Sequence, residues 1–279
     1  MPYIIAGSVL IIVLTAALLY ATRERRRFNS SQYRRITGTS WDDVRSDASR
    51  SAEYNIYDAL REYEKRGAKF LFNLYIPMEH GGTTELDAIM ICSRGILVFE
   101  SKSRYGWIEG SDTEREWKQL LFRRDGSLIE NKLYNPVMQN RGHVAHLKKL
   151  LGGRVPMFSV IVFSDNTDIK RIKVSYPDTL ITNESRLKIV AGNIYWNAPE
   201  GLSESDIQSI YFKLYQYTRV SDEEKEKHIK DIKKKYLSER NGASKKAQSK
   251  ARPRPAQTNR QRQTRPPQVR RTPQRPRGN

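Results

Sequence analysis

The sequence predicts an α/β fold with a mixed sheet, and three observations carry that expectation. Apolar runs of strand length recur at residues 69–76, 85–92, 95–101 and 157–163. Helical periodicity precedes the first run, with Ile56, Leu60 and Tyr63 at spacings of four and three, and returns between the third run and the last. The resulting order of helix, strands, helix, strand calls for a sheet with both parallel and antiparallel neighbours, covered by helices.

Each element has its own signal. Residues 3–21 carry no charge, with Tyr3 and Tyr20 at the ends. As a helix, a run of that length spans a bilayer core of about 30 Å. Arg23-Glu24-Arg25-Arg26-Arg27 follows the run and no Lys or Arg precedes it. That placement disfavours the rival reading, a cleaved signal peptide, and puts the N-terminus outside by the positive-inside rule. The expectation is a single-pass anchor in the cell membrane at residues 3–22, in contact with the lipid bilayer, followed by a basic and polar tether at 23–50 and a cytoplasmic domain. Residues 51–65 read as a helix stopped by Gly67. Runs at 105–109 and 115–122 extend a meander that turns at Arg124-Asp125-Gly126. Asn135-Pro136 opens the next helix, Asn as N-cap and Pro in the first helical position, and Gly152-Gly153 closes it. Short strands are expected near 179–182 and 187–190, and a helix at 203–217. Residues 51–153 thus form the core and 154–220 the C-terminal part of the globular domain. Residues 221–240 are nearly all polar or charged and open on Ser221-Asp-Glu-Glu224, a capping-box pattern for a solvated helix.

Charge is unevenly placed. The chain carries +19 in 279 residues, and residues 241–279 supply +12 through three Lys and nine Arg without an acid. Such a Pro-, Gln- and Arg-rich tail cannot build a core and is expected to be disordered. Its partners by charge are phosphate backbones or anionic lipid head groups. The single Cys92 forms no intrachain disulfide and reads as a small buried hydrophobe. No phosphate-cradling GxxxxGK[ST] loop and no GxSxG elbow is present, which removes support for nucleotide triphosphate use and serine hydrolysis.

Charge also stands inside the strand runs. Glu100 and Lys102 follow the apolar run at 96–99 two residues apart, on one face of the strand. Asp87 interrupts a second apolar run at 86–91. Buried charge is costly unless compensated. Asp87 and Glu100 can together hold a hard divalent cation, Mg²⁺ or Mn²⁺. Lys102 beside it would face the negative charge that develops in phosphodiester hydrolysis.

These residues resemble the nuclease-related domain, NERD, a branch of the PD-(D/E)XK endonuclease superfamily. The resemblance runs from about Glu53 to Leu150. It comprises Ala52-Glu53 with Ile56 and Leu60, Thr84-Glu-Leu-Asp87 with Ile89, and Gly95-Ile-Leu-Val-Phe-Glu100-Ser-Lys102. The string continues with Gly106, Ile108, Gly110 and Trp117, and ends on Asn135-Pro-Val-Met-Gln139-Asn140. Leu86 stands where the superfamily name implies Pro. The resemblance implies a restriction-endonuclease-like core. It makes Glu53, Asp87 and Glu100 the metal-site acids, Lys102 the catalytic lysine and Gln139 an auxiliary residue. It implies a metal-dependent nuclease, with DNA the expected substrate and the tail 241–279 a second contact to it. The alternative is a non-catalytic nucleic-acid-binding membrane protein that uses the domain as a docking platform. His143 and His146 lie three apart on the helix without a third ligand and read as packing or surface residues. Trp107 and Trp117 read as scaffold aromatics.

Overall fold

A computed structural model describes residues 2–79, 81–221, 223–228 and 230. The apolar runs become a five-stranded mixed sheet. Its strands are β1 (Lys69–Pro77), β2 (Thr83–Cys92), β3 (Gly95–Lys102), β7 (Met157–Phe163) and β9 (Thr179–Asn183), in that spatial order. β1, β2 and β3 pair antiparallel, whereas β3–β7 and β7–β9 are parallel. A second, four-stranded sheet has the order β6 (Leu128–Tyr134), β5 (Glu116–Phe122), β4 (Gly106–Ser111), β8 (Thr167–Lys173). The expected meander at 105–122 therefore belongs to its own sheet.

Helices cover both faces of the first sheet, as a sheet buried on two sides requires. Five lie on one side: the end of α1 (Pro2–Asn29), α2 (Gln32–Thr37), α3 (Trp41–Ser46), α4 (Ala48–Leu60) and α6 (Leu187–Asn197). Phe28, Tyr33, Val44, Tyr57 and Ala191 from these helices share one core with Phe70, Phe72, Met90 and Phe99. On the other side α5 (Pro136–Leu151) and α7 (Glu204–Tyr215) bring Val144, Leu147, Ile207 and Ile210 against Leu71, Ile89, Ile91 and Val98. Trp117, Ile108 and Val137 join the second sheet to Ile161 and Phe163 of β7.

One backbone feature changes which residues meet. Phe70 and Phe72 pack in the first core, yet Leu74 and Ile76 pack in the second. Residues two apart on a strand normally share a face. The switch occurs at Asn73, the non-glycine residue with positive φ (50°) among the described residues. Asn tolerates that left-handed conformation better than most side chains. β2 turns over at the same level, since Leu86 packs in the second core but Ala88 and Met90 in the first. The β1–β2 ladder runs through Phe72–Ala88 and Leu74–Leu86 but contains no Asn73–Asp87 pair.

Several expectations need correction. Among the described residues no helix is long and apolar enough to cross a membrane. The single-pass anchor at 3–22, its outward N-terminus and its bilayer contact are therefore withdrawn. Residues 3–22 instead begin α1, a helix that does not end with the apolar run. The same helix runs on through Arg23–Arg27 and ends with Phe28 fully buried in the domain. The segment expected as a polar tether folds into α2 and α3, each with a serine N-cap. The strand expected at 187–190 is the first turn of α6. The helix at 221–240 is described only in part. There His228 is buried, its Nδ1 3.1 Å from Thr83 Oγ1 and its ring edge-on to Tyr75. Residues 231–279, including the basic tail, lie outside the described residues, as does His80.

The spaced glycines of β4 have steric causes. A Cβ on Gly110 would lie 2.2 Å from Trp117 Cδ1, and one on Gly106 (φ 82°) would lie 2.5 Å from the Leu120 carbonyl oxygen. Trp117 is fully buried and its Nε1 donates to the Ser111 carbonyl at 2.8 Å. Gly110→Ala is therefore expected to cost about 1–3 kcal/mol through overpacking, measured by urea unfolding. Unchanged stability would show that the Trp117 ring has room to move.

Candidate active site

The end of a ladder positions Asp87. β2 and β3 pair as far as Ala88–Phe99, and there the backbone pairing stops. The N–H of Ser101 donates instead to Asp87 Oδ2 at 2.8 Å, and Ser101 Oγ donates to the same oxygen at 2.8 Å. A side-chain carboxylate thus replaces a strand carbonyl as acceptor, and the N–H remains satisfied. Asp87 keeps part of its surface open although protein atoms crowd its carboxylate.

Glu100 is 1 % exposed. Lys102 projects from the same face of β3, its Nζ paired with Glu100 Oε1 and donating to Gln139 Oε1 at 3.2 Å. The other Glu100 oxygen, Oε2, is buried without a hydrogen-bond partner. His143 Nε2 comes within 3.2 Å of it but lacks hydrogen-bond alignment.

Helix α5 supplies Gln139 and His143, and its own anchoring explains why they arrive there. Asn135 Oδ1 caps the helix by accepting from Val137 N at 2.9 Å and Met138 N at 3.2 Å. Its Nδ2 donates to the carbonyls of Ser111 and Glu114, fastening the helix start to the β4–β5 loop. Asn140 is buried and donates to the Val98 carbonyl and to Ser159 Oγ, both at 2.9 Å, pinning α5 across β3 and β7.

Glu53, on α4, is buried. Its Oε2 accepts from Tyr33 Oη at 3.2 Å and from Asn73 Nδ2 at 3.0 Å. The structure therefore gathers Asp87, Glu100, Lys102 and Gln139 at the ends of two strands, with Glu53 linked to Asp87 through charge. Among the described residues no group of three or more His, Cys, Asp or Glu is placed to hold a metal ion. Asp87 and Glu100 make a pair of carboxylates, and a hard dication bound with waters and substrate phosphate needs only one or two. Glu100 Oε1, which Lys102 engages, keeps acceptor capacity for such a ligand.

Electrostatics reflect this crowding. Burial, followed by the charge of Glu100, pushes the Asp87 carboxyl up to about 7, against the pull of Lys102 and Ser101. Burial and then the charge of Asp87 push Glu53 up to about 8, although its bonds to Asn73 and Tyr33 oppose the rise. Burial would also raise Glu100, but the charge of Lys102 and the neighbouring His143 hold it below the usual carboxylate range. Burial and the adjacent Glu53 raise the Tyr33 hydroxyl.

Sequence reasoning missed Tyr33, Asn73, Thr84, Ser101 and His143 as neighbours of the site. His143 had a usable signal, since it lies one helical turn beyond Gln139. Asn73 had a weaker one, a lone amide in the apolar run of β1. Tyr33 had none.

Residues 48–164 match the family model described as the nuclease-related domain. Over that span the chain is similar to the nuclease-related domain, which belongs to the PD-(D/E)XK-like nuclease group. It is also similar to an uncharacterized protein of Bacillus anthracis. The two are 26 % identical over 180 residues, which make up 64 % of this chain and 81 % of that protein.

The shifted carboxyls predict how stability varies with pH. An acid whose pKa rises on folding binds its proton more tightly when folded, so it lowers stability as pH climbs from its unfolded pKa to its folded one. That window closes at about 7 for Asp87 and about 8 for Glu53. Glu100, shifted the other way, adds stability that is lost only as pH falls below the carboxylate range. Without divalent metal, the melting temperature is expected to fall between about pH 5 and pH 8, and Glu53→Gln should flatten that decline. A melting temperature that rises across the interval, or a slope indifferent to Glu53→Gln, contradicts the assignment.

Proposed function

We propose that the domain is a metal-dependent nuclease with a restriction-endonuclease-like core, hydrolysing phosphodiester bonds in DNA. One arrangement carries this reading: the buried Glu100 carboxylate paired with Lys102, which Gln139 holds from α5. A buried ion pair is a poor device for stability alone, since apolar residues of similar volume commonly serve as well or better. Its place where the β2–β3 ladder opens onto Asp87 is suited to chemistry.

Asp87 and Glu100 would hold Mg²⁺ or Mn²⁺, which when bound supplies Lewis acidity toward a phosphate oxygen and the attacking water. Lys102 sets a positive charge against the negative charge that accumulates on the phosphorus oxygens in the transition state. Gln139 fixes the direction of that ammonium group, whose three donors exceed its two protein acceptors. Glu53, whose carboxyl is pushed up to about 8 by burial and then by the charge of Asp87, is the third acid of this group. The tail at 241–279, at +12, adds a sequence-independent contact to the phosphate backbone.

The test is cleavage of plasmid and linear DNA by the full chain with Mg²⁺ or Mn²⁺. Lys102→Ala should lower the rate by about 10²-fold or more. A wild type no more active than Lys102→Ala sinks the enzymatic reading. DNA binding without cleavage, surviving Lys102→Ala, would put the non-catalytic platform in its place.

A further inference from the structure

We propose that His143 is a positioning residue for Glu100, set in its working tautomer by Thr84; the inference rests on the site proposed above. The ring is 8 % exposed and lies on α5 one turn beyond Gln139. Its Nε2 is 3.2 Å from Glu100 Oε2, and its Nδ1 is 2.8 Å from Thr84 Oγ1 on β2. An ionised carboxylate only accepts hydrogen bonds, so the ring nitrogen facing it carries the hydrogen. In the neutral ring Nδ1 is then an acceptor, and the Thr84 hydroxyl donates to it. Thr84 thus selects the tautomer that presents an N–H to Glu100.

The two oxygens of Glu100 have different neighbours. Lys102 takes Oε1, while His143 stands at Oε2. Both His143 Nε2 and Glu100 Oε2 are buried without a completed hydrogen bond. Water reaches neither atom, so a small turn of the carboxylate toward the ring satisfies both at once. That bond fixes the plane of the Glu100 carboxylate and settles which oxygen remains for Lys102 and for a cation. Thr84 precedes Asp87 by three residues, so one short stretch of β2 supplies an acid of the site and also orients its other acid through His143.

The experiment combines Mn²⁺ titration of the full chain by calorimetry with the ¹⁵N shifts of His143. His143→Leu should weaken Mn²⁺ binding by about 10–100-fold, the usual effect of removing a residue that orients a ligand. His143→Gln, which keeps a donor at the same reach, should restore most of the affinity. Thr84→Val should weaken binding partially and Thr84→Ser should not. In its neutral form the His143 ring of the wild type should be the Nε2–H tautomer and should become mixed in Thr84→Val. A folded His143→Leu that binds Mn²⁺ like the wild type overturns the proposal. So does a wild-type ring already mixed between tautomers, whatever the metal result. If the wild type binds no Mn²⁺ while its His143 is uniformly Nε2–H, the metal reading fails and the positioning of Glu100 stands.

Discussion

Two carboxylates held close together at the end of a buried sheet constrain everything around them. Burial and then the charge of Glu100 raise the cost of ionising Asp87, and burial raises that of Glu100. Lys102 and then His143 offset burial at Glu100, whereas Lys102 and Ser101 do not offset it at Asp87, so one carboxyl is shifted down and the other up. Glu53, buried and raised in turn by the charge of Asp87, carries the same strain. The fold tolerates this arrangement with specific donors: Ser101 for Asp87, and Tyr33 with Asn73 for Glu53. A divalent cation would replace part of this makeshift compensation with full charge.

Two structural devices make the crowding possible. The first is the left-handed Asn73, where β1 turns over opposite Asp87, so the strand pair changes faces at the level of the site. The second is α5, which is fixed before it delivers anything functional. Asn135 ties its start to the β4–β5 loop and Asn140 ties its first turns to the sheet. Gln139 and His143 then reach Lys102 and Glu100 as consequences of helical spacing. The second sheet contributes indirectly, since its loop receives Asn135 and its close approach of Gly110 to Trp117 sets where that loop lies.

The legible parts of the sequence were those where a single physical rule dominated. β1, β2, β3 and β7 are buried on both faces and so appear as continuous apolar runs. Asp87, Glu100 and Lys102 were visible because charge interrupts those runs. β6 and β8 were not visible, because both are edge strands with mostly exposed or half-exposed residues and many charges. The apolar start of α6 was misread because a run of four residues cannot distinguish a strand from a helix; the buried set Leu187, Ala191 and Ile194 shows its period only over the whole element. Phe28, Tyr33 and Val44 are scattered among Arg and Ser, so the segment at 23–50 looked like a tether although it builds part of the core. The turnover at Asn73 is a backbone event that no hydrophobic pattern announces.

The central claim is that Asp87 and Glu100 form a place for a divalent cation. Anomalous diffraction from crystals of the full chain soaked in saturating Mn²⁺ tests it most directly. The account predicts a peak within about 2.5 Å of a carboxylate oxygen from each residue, with Lys102 displaced from Glu100 Oε1 or sharing it. No peak between the two carboxylates, with the Lys102–Glu100 pair unchanged, would contradict it.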